Sequence, residues 1–65
     1  MRISVNGEER SVEAATLDRA LIELGYEGAV VATALNRDFV PKAERGTVRL
    51  AEGDAIEIIA PMKGG

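Results

Sequence analysis

Hydrophobic positions along the chain change their spacing several times, and each change marks an element. Ile3 and Val5 alternate with Arg2 and Ser4, the period of a half-buried strand. Asn6-Gly7 follows, a dipeptide that tolerates positive φ, and Arg10 to Val12 return as a second strand, giving an N-terminal hairpin. From Leu17 the spacing becomes helical, with Leu17, Ala20, Leu21 and Leu24 on one stripe. Thr16 stands at the N-cap position, Asp18 in the first turn suits the helix dipole, and Gly25 lies just past the end. Beyond Glu27-Gly28, the β-branched pair Val30-Val31 opens a third strand running to Leu35. A turn at Asn36-Arg37-Asp38 leads to a short fourth strand, Phe39-Val40, ended by Pro41. Val48 to Leu50 and Ala55 to Ile59 are two further extended segments around the turn Glu52-Gly53-Asp54.

The order is therefore ββαβ(β)β. A hairpin, one helix and later strands can bury a single core only if the helix lies across one face of the sheet. This is an α+β arrangement of the β-grasp type, with a sheet of four to five strands. Residues 1–59 form the domain and residues 60–65 a flexible tail. If Ile56 and Ile58 face the helix, alternation puts Glu57 and Ile59 on the outer face, where an apolar residue either covers an edge or helps form a docking surface.

Composition narrows the possibilities for function. A domain of 65 residues buries only about 60% of the surface its unfolded chain exposes, which leaves little room for a deep enzymatic cleft. There is no cysteine to staple the fold or bind zinc, so the core rests on an apolar fraction of 46%, mostly aliphatic. Eleven acidic against eight basic residues give a net charge of −3, which disfavours nucleic acid. The longest apolar stretch, Ala29 to Leu35, is far short of the roughly 20 residues of a membrane span. With no signal-peptide pattern at the start, a soluble cytoplasmic protein is expected.

Conventional catalysis finds no footing. Histidine and cysteine are both absent, and the serines and threonines lack an activating base, so no catalytic residue is assigned and the chain is not expected to be an enzyme. The carboxylates at Glu8, Glu9 and Glu13, and at Glu52 and Asp54, lack calcium-loop spacing and read as solvated charges, so no metal site is expected. Gly25-Tyr26-Glu27-Gly28 is a helix stop and not a phosphate loop. Tyr26 and Phe39 read as core or edge packing residues.

What is left is the end of the chain, Ala60-Pro61-Met62-Lys63-Gly64-Gly65. With glycine at about 7% of residues, a terminal pair arises by chance in roughly one chain in two hundred. Here it follows directly on a strong hydrophobic strand that Pro61 terminates, and some six residues reach about 20 Å when extended. Lacking a Cβ, Gly64 and Gly65 can thread a narrow channel into a partner's active site. A carboxylate resists nucleophilic attack, so a terminus used in acyl chemistry must first be activated, for instance as an acyl-adenylate. That activation has to come from another protein.

These features resemble the ThiS family of sulfur carriers over essentially the whole chain. Val31-Ala32-Thr33-Ala34-Leu35-Asn36-Arg37-Asp38-Phe39-Val40-Pro41-Lys42 is similar to the family's "VALN … VP, basic" run. Leu50-Ala51-Glu52-Gly53-Asp54-Ala55-Ile56-Glu57-Ile58-Ile59 is similar to its "L-x-EGD-x-IEI" strand pair, and Gly64-Gly65 completes the pattern. The family often has an aromatic near Arg45-Gly46-Thr47, where this chain has none, and Pro61 resembles the tail of MoaD, the molybdopterin-synthase carrier. The resemblance implies the ubiquitin-like form of this fold, a mixed sheet in which the first and last strands pair in parallel. It also implies that a ThiF-like enzyme, using ATP and Mg²⁺, adenylates Gly65, and that a donor such as a cysteine desulfurase supplies sulfur. The resulting thiocarboxylate serves thiazole synthase in thiamine biosynthesis. The carrier itself then binds no cofactor. Ile59, Met62 and Lys63 are the expected partner contacts and Gly64 the threading residue. A molybdopterin or other thiocarboxylate carrier, and a ubiquitin-like modifier or binding module, are the alternatives.

Overall fold

A computed structural model describes residues 1–60. The elements in chain order are β1 (Arg2–Val5), β2 (Glu8–Ser11), α1 (Leu17–Glu23), β3 (Ala32–Leu35), β4 (Asp38–Val40), a 3₁₀ helix (Lys42–Thr47) and β5 (Ala55–Ile59). The five strands form one sheet in the order β2-β1-β5-β3-β4. β1 and β5 pair in parallel at its centre through Ser4↔Ala55 and Val5↔Ile56, while β1–β2, β3–β4 and β3–β5 pair antiparallel.

Local chemistry accounts for the connections. Asn6 and Gly7 take φ of 52° and 85°, the left-handed pair that lets a two-residue hairpin turn match the strand twist. α1 closes in a Schellman motif, with Tyr26 N–H donating to the Leu21 carbonyl at 2.8 Å and Gly25 N–H to the Ile22 carbonyl at 3.1 Å. Gly25 supplies the required φ of 95°. Thr16 occupies the N-cap position, but its hydroxyl donates to the Asp18 carboxylate and caps no helix N–H.

Leu17, Ala20 and Leu21 of α1 face Ile3, Val5, Ile56 and Ile58 of the two central strands, and Val12, Val40 and Leu50 complete the buried core. Leu24 is only half-buried, because it sits at the helix C-cap where the chain turns away.

Three segments depart from the sequence expectation. β2 lies over Glu8–Ser11 and not Arg10 to Val12, since the two-residue turn fixes the register and pairs Val5 with Glu8. Val12 still enters the core, from just beyond the strand. β3 starts at Ala32, because β5 ends opposite it at Ile59, and Val30 is left 80% exposed. Val48 to Leu50 makes no strand. Its backbone instead meets the approach to α1, through a single bridge between Thr16 and Arg49 and through Leu17 N–H to the Val48 carbonyl and Leu50 N–H to the Ala15 carbonyl.

Candidate functional site

The expected working residues Gly64 and Gly65, with Met62 and Lys63, lie outside the described residues. The structure does describe the strand that leads to them. β5 is the central strand of the sheet, so Ile59 is not an edge residue; it stands on the open face, 64% exposed, at the last position of the strand. Alternation along β5 buries Ile56 and Ile58 against the helix and leaves Glu57 and Ile59 outward, as the sequence implies.

Register carries the same face across the neighbouring strands. Ile59 is opposite Ala32, Glu57 is opposite Ala34, and Ala34 is in turn opposite Phe39, which is 69% exposed. Ile59, Ala32, Ala34 and Phe39 thus form an apolar stretch from the root of the tail to the β4 edge, with Glu57 as its one charge in that register. Phe39 packs in no core. Its place on the open face follows from its register opposite Ala34, which the turn at Asn36 and Arg37 sets.

The root of the tail is fixed from both sides. β3 pairs with β5 as far as Ala32↔Ile59. On the other side β1 has already ended at Val5, and there the side chain of Asn6 takes over. Its Oδ1 accepts from Ile58 N–H at 2.8 Å and its Nδ2 donates to the Ile58 carbonyl at 3.1 Å. Sequence reasoning took Asn6 only for its turn geometry.

A second buried feature supports the opposite flank. Arg45, only 8% exposed, donates from Nε to Thr33 Oγ1 at 3.0 Å and from Nη2 to the Val31 carbonyl at 2.6 Å, and Thr33 in turn donates to the Val40 carbonyl at 2.9 Å. This network ties the 3₁₀ helix to β3 and β4. The Asp18 carboxyl is held below the usual carboxylate range, first by the hydrogen bond from the Thr16 hydroxyl. A cavity of about 300 Å³ between α1 and the 3₁₀ helix is lined by Ile22, Tyr26, Lys42 and Arg45 among others. No described helix is long and apolar enough to cross a membrane.

The family model of ThiS matches residues 3–65, from β1 through both terminal glycines. The chain belongs to the ThiS family. A curated sulfur carrier protein ThiS from Thermus thermophilus is 39% identical over 61 residues, covering 94% of this chain and 95% of that protein. A thiazole synthase from Paramagnetospirillum magneticum is also 39% identical, over 66 residues. The match takes in the whole of this chain but only 20% of that protein, so the chain spans about a fifth of the length of this relative. The crystal structure of a ThiS thiamine biosynthesis protein from Geobacter metallireducens superimposes with a TM-score of 0.83 at 28% identity, over the full length of both chains. A solution structure of a thiamine biosynthesis protein from the same organism gives 0.78 at 26%, over all of this chain and 88% of that one. The mixed sheet with one covering helix is thus the ThiS form of the β-grasp fold.

Proposed function

We propose that this ThiS family chain carries sulfur for thiazole formation in thiamine biosynthesis, as a thiocarboxylate on Gly65. The observation that carries the reading is the family match running to residue 65, so that Gly64-Gly65 falls inside the pattern, one short tail beyond the central strand β5. The names of the relatives, a sulfur carrier and a thiazole synthase, favour the thiazole pathway over molybdopterin.

In this scheme a carboxylate oxygen of Gly65 attacks the α-phosphorus of ATP within a ThiF-like enzyme, Mg²⁺ accompanies the nucleotide, and pyrophosphate leaves. A persulfide sulfur, supplied from a donor such as a cysteine desulfurase, then adds to the acyl carbon and AMP leaves; a thiol reductant cleaves the S–S bond of the resulting acyl disulfide, releasing the thiocarboxylate and itself becoming a disulfide. The thiocarboxylate ionises readily, and like a thiolate it is nucleophilic at neutral pH where a carboxylate is inert. Thiazole synthase receives the sulfur. The chain contributes recognition and a reactive end, and the catalysis belongs to its partners.

The apolar stretch Ile59, Ala32, Ala34 and Phe39 is the docking face in this reading, because it begins at the tail root, with Met62 and Lys63 as further contacts and Gly64 as the threading residue. Extending the chain by one residue after Gly65, or replacing Gly64 by valine, tests the tail directly. Both variants should fold and bind the adenylating enzyme, and neither should form the adenylate at the normal rate. Normal adenylation of the extended chain would refute the assignment of Gly65.

A further inference from the structure

We infer that Asn6 is a positioning residue for the chemistry at the tail, because its side-chain amide stands in for a missing stretch of β1 and holds β5 straight up to the point where the tail begins. The inference rests on the proposed adenylation of Gly65.

A central strand has a hydrogen-bonding neighbour on each side, and β5 has β1 in parallel on one and β3 antiparallel on the other. β1 serves β5 in this way while it lasts: Ser4 N–H donates to the Asp54 carbonyl and Asn6 N–H to the Ile56 carbonyl, each at 2.9 Å. At Asn6 the backbone turns into the left-handed region, with φ of 52°, and leaves the sheet through Gly7 toward β2. Ile58, two residues further along β5, would then present its N–H and C=O on that side with no strand to meet them. The Asn6 amide has the same donor and acceptor as a peptide group, and it fills both positions at once, at 2.8 and 3.1 Å. One residue therefore does two things: it makes the turn that ends β1, and it extends the ladder beyond that turn.

The consequence falls on the tail. Among the described residues, Ile59 is held laterally through the β3 pairing that stops at Ala32↔Ile59, and Ala60 lies beyond it. With Ile58 clamped, the direction in which the chain leaves the domain is set relative to the open face carrying Ile59 and Phe39. A terminus that must enter another protein's active site gains from a fixed point of departure, since misplacing a reacting group by about 1 Å can cost on the order of 100-fold in rate.

Asn6→Gly keeps the positive φ and removes the amide, so it separates the clamp from the turn. With the full-length protein and a ThiF-like enzyme, the variant should show kcat for adenylate formation lowered about ten-fold or more, with KM within two-fold of wild type because the docking face is intact. Hydrogen exchange at the Ile58 amide should accelerate at least ten-fold, while the Ile56 amide stays protected. Asn6→Asp, which keeps the acceptor but turns an oxygen toward the Ile58 carbonyl, should be impaired in the same way. Val12→Ala, a core truncation away from the tail, controls for stability and should leave kcat unchanged at temperatures where it is folded. An Asn6→Gly protein with kcat within two-fold of wild type, or with Ile58 exchange unaltered, overturns the inference. Failure of the wild-type protein itself to be adenylated would instead refute the proposed function.

Discussion

Replacing Thr33 by valine keeps the side-chain volume and removes one hydroxyl, and that hydroxyl holds two elements together. Thr33 is 2% exposed; its Oγ1 accepts from Arg45 Nε at 3.0 Å and donates to the Val40 carbonyl at 2.9 Å. In the Thr33→Val protein a nearly buried guanidinium loses one of its two hydrogen-bond acceptors, and a buried carbonyl loses a donor. Orphaned groups of this kind cost roughly 1–3 kcal/mol each, more where one is charged, and the added methyl returns about 0.8 kcal/mol. The net loss is about 1–5 kcal/mol, against a total stability of roughly 3–10 kcal/mol for a domain of this size. Thr33→Ser retains the hydroxyl and gives up only a methyl, at about 1 kcal/mol. Urea denaturation followed by circular dichroism reads the difference as a shift in midpoint at constant slope. The expected order of stability is wild type, then serine, then valine. A valine variant as stable as wild type would show that the network from the 3₁₀ helix to β3 and β4 contributes nothing to the fold.

Other changes have distinct expected outcomes. Leu21→Ala empties a buried site between α1 and the central strands and should cost about 2–5 kcal/mol in the same denaturation assay; unchanged melting would contradict the helix placement. Arg37, exposed and at φ of 73° in the β3–β4 turn, occupies a conformation that favours glycine. Arg37→Gly should stabilise the fold by about 0.5–1 kcal/mol, seen as a rise in Tm, and a fall in Tm would refute the strain. Ile59→Asp, on the open face, should leave melting unchanged and weaken binding to the adenylating enzyme by more than about 1 kcal/mol, as loss of an exposed apolar anchor does; binding unaltered in calorimetry would make Ile59 a bystander.

The sequence was legible wherever a local rule and the tertiary fold agree. Asn6-Gly7, the Leu17, Ala20 and Leu21 stripe, Gly25 and the alternating Ile56 and Ile58 each obey a short-range preference that packing then reinforces. Pairing of β1 with β5 was not in the periodicity and came only with the family resemblance, because its partners lie some fifty residues apart. Arg45 was the least legible residue. A charged side chain in a polar run reads as solvated, and it is buried only because Thr33 and the Val31 carbonyl, 12 and 14 residues away, offer acceptors. Val48 to Leu50 misled for the converse reason: its β-branched and apolar residues fit a strand, yet its backbone partners are the loop before α1. Of the candidate site, the exposure of Ile59 followed from alternation alone. The joining of Ile59 to Phe39 across three strands required the register, and the clamp on Ile58 required knowing where β1 stops.

Intact-mass spectrometry of the full chain, incubated with a ThiF-like enzyme, ATP, Mg²⁺ and a sulfur donor, tests the carrier function most directly. The predicted result is a mass gain equal to the exchange of one oxygen for one sulfur, localised by fragmentation to the Gly64-Gly65 end and absent when ATP is omitted or Gly65 deleted. A protein that folds, binds the enzyme and never gains sulfur under these conditions would contradict it.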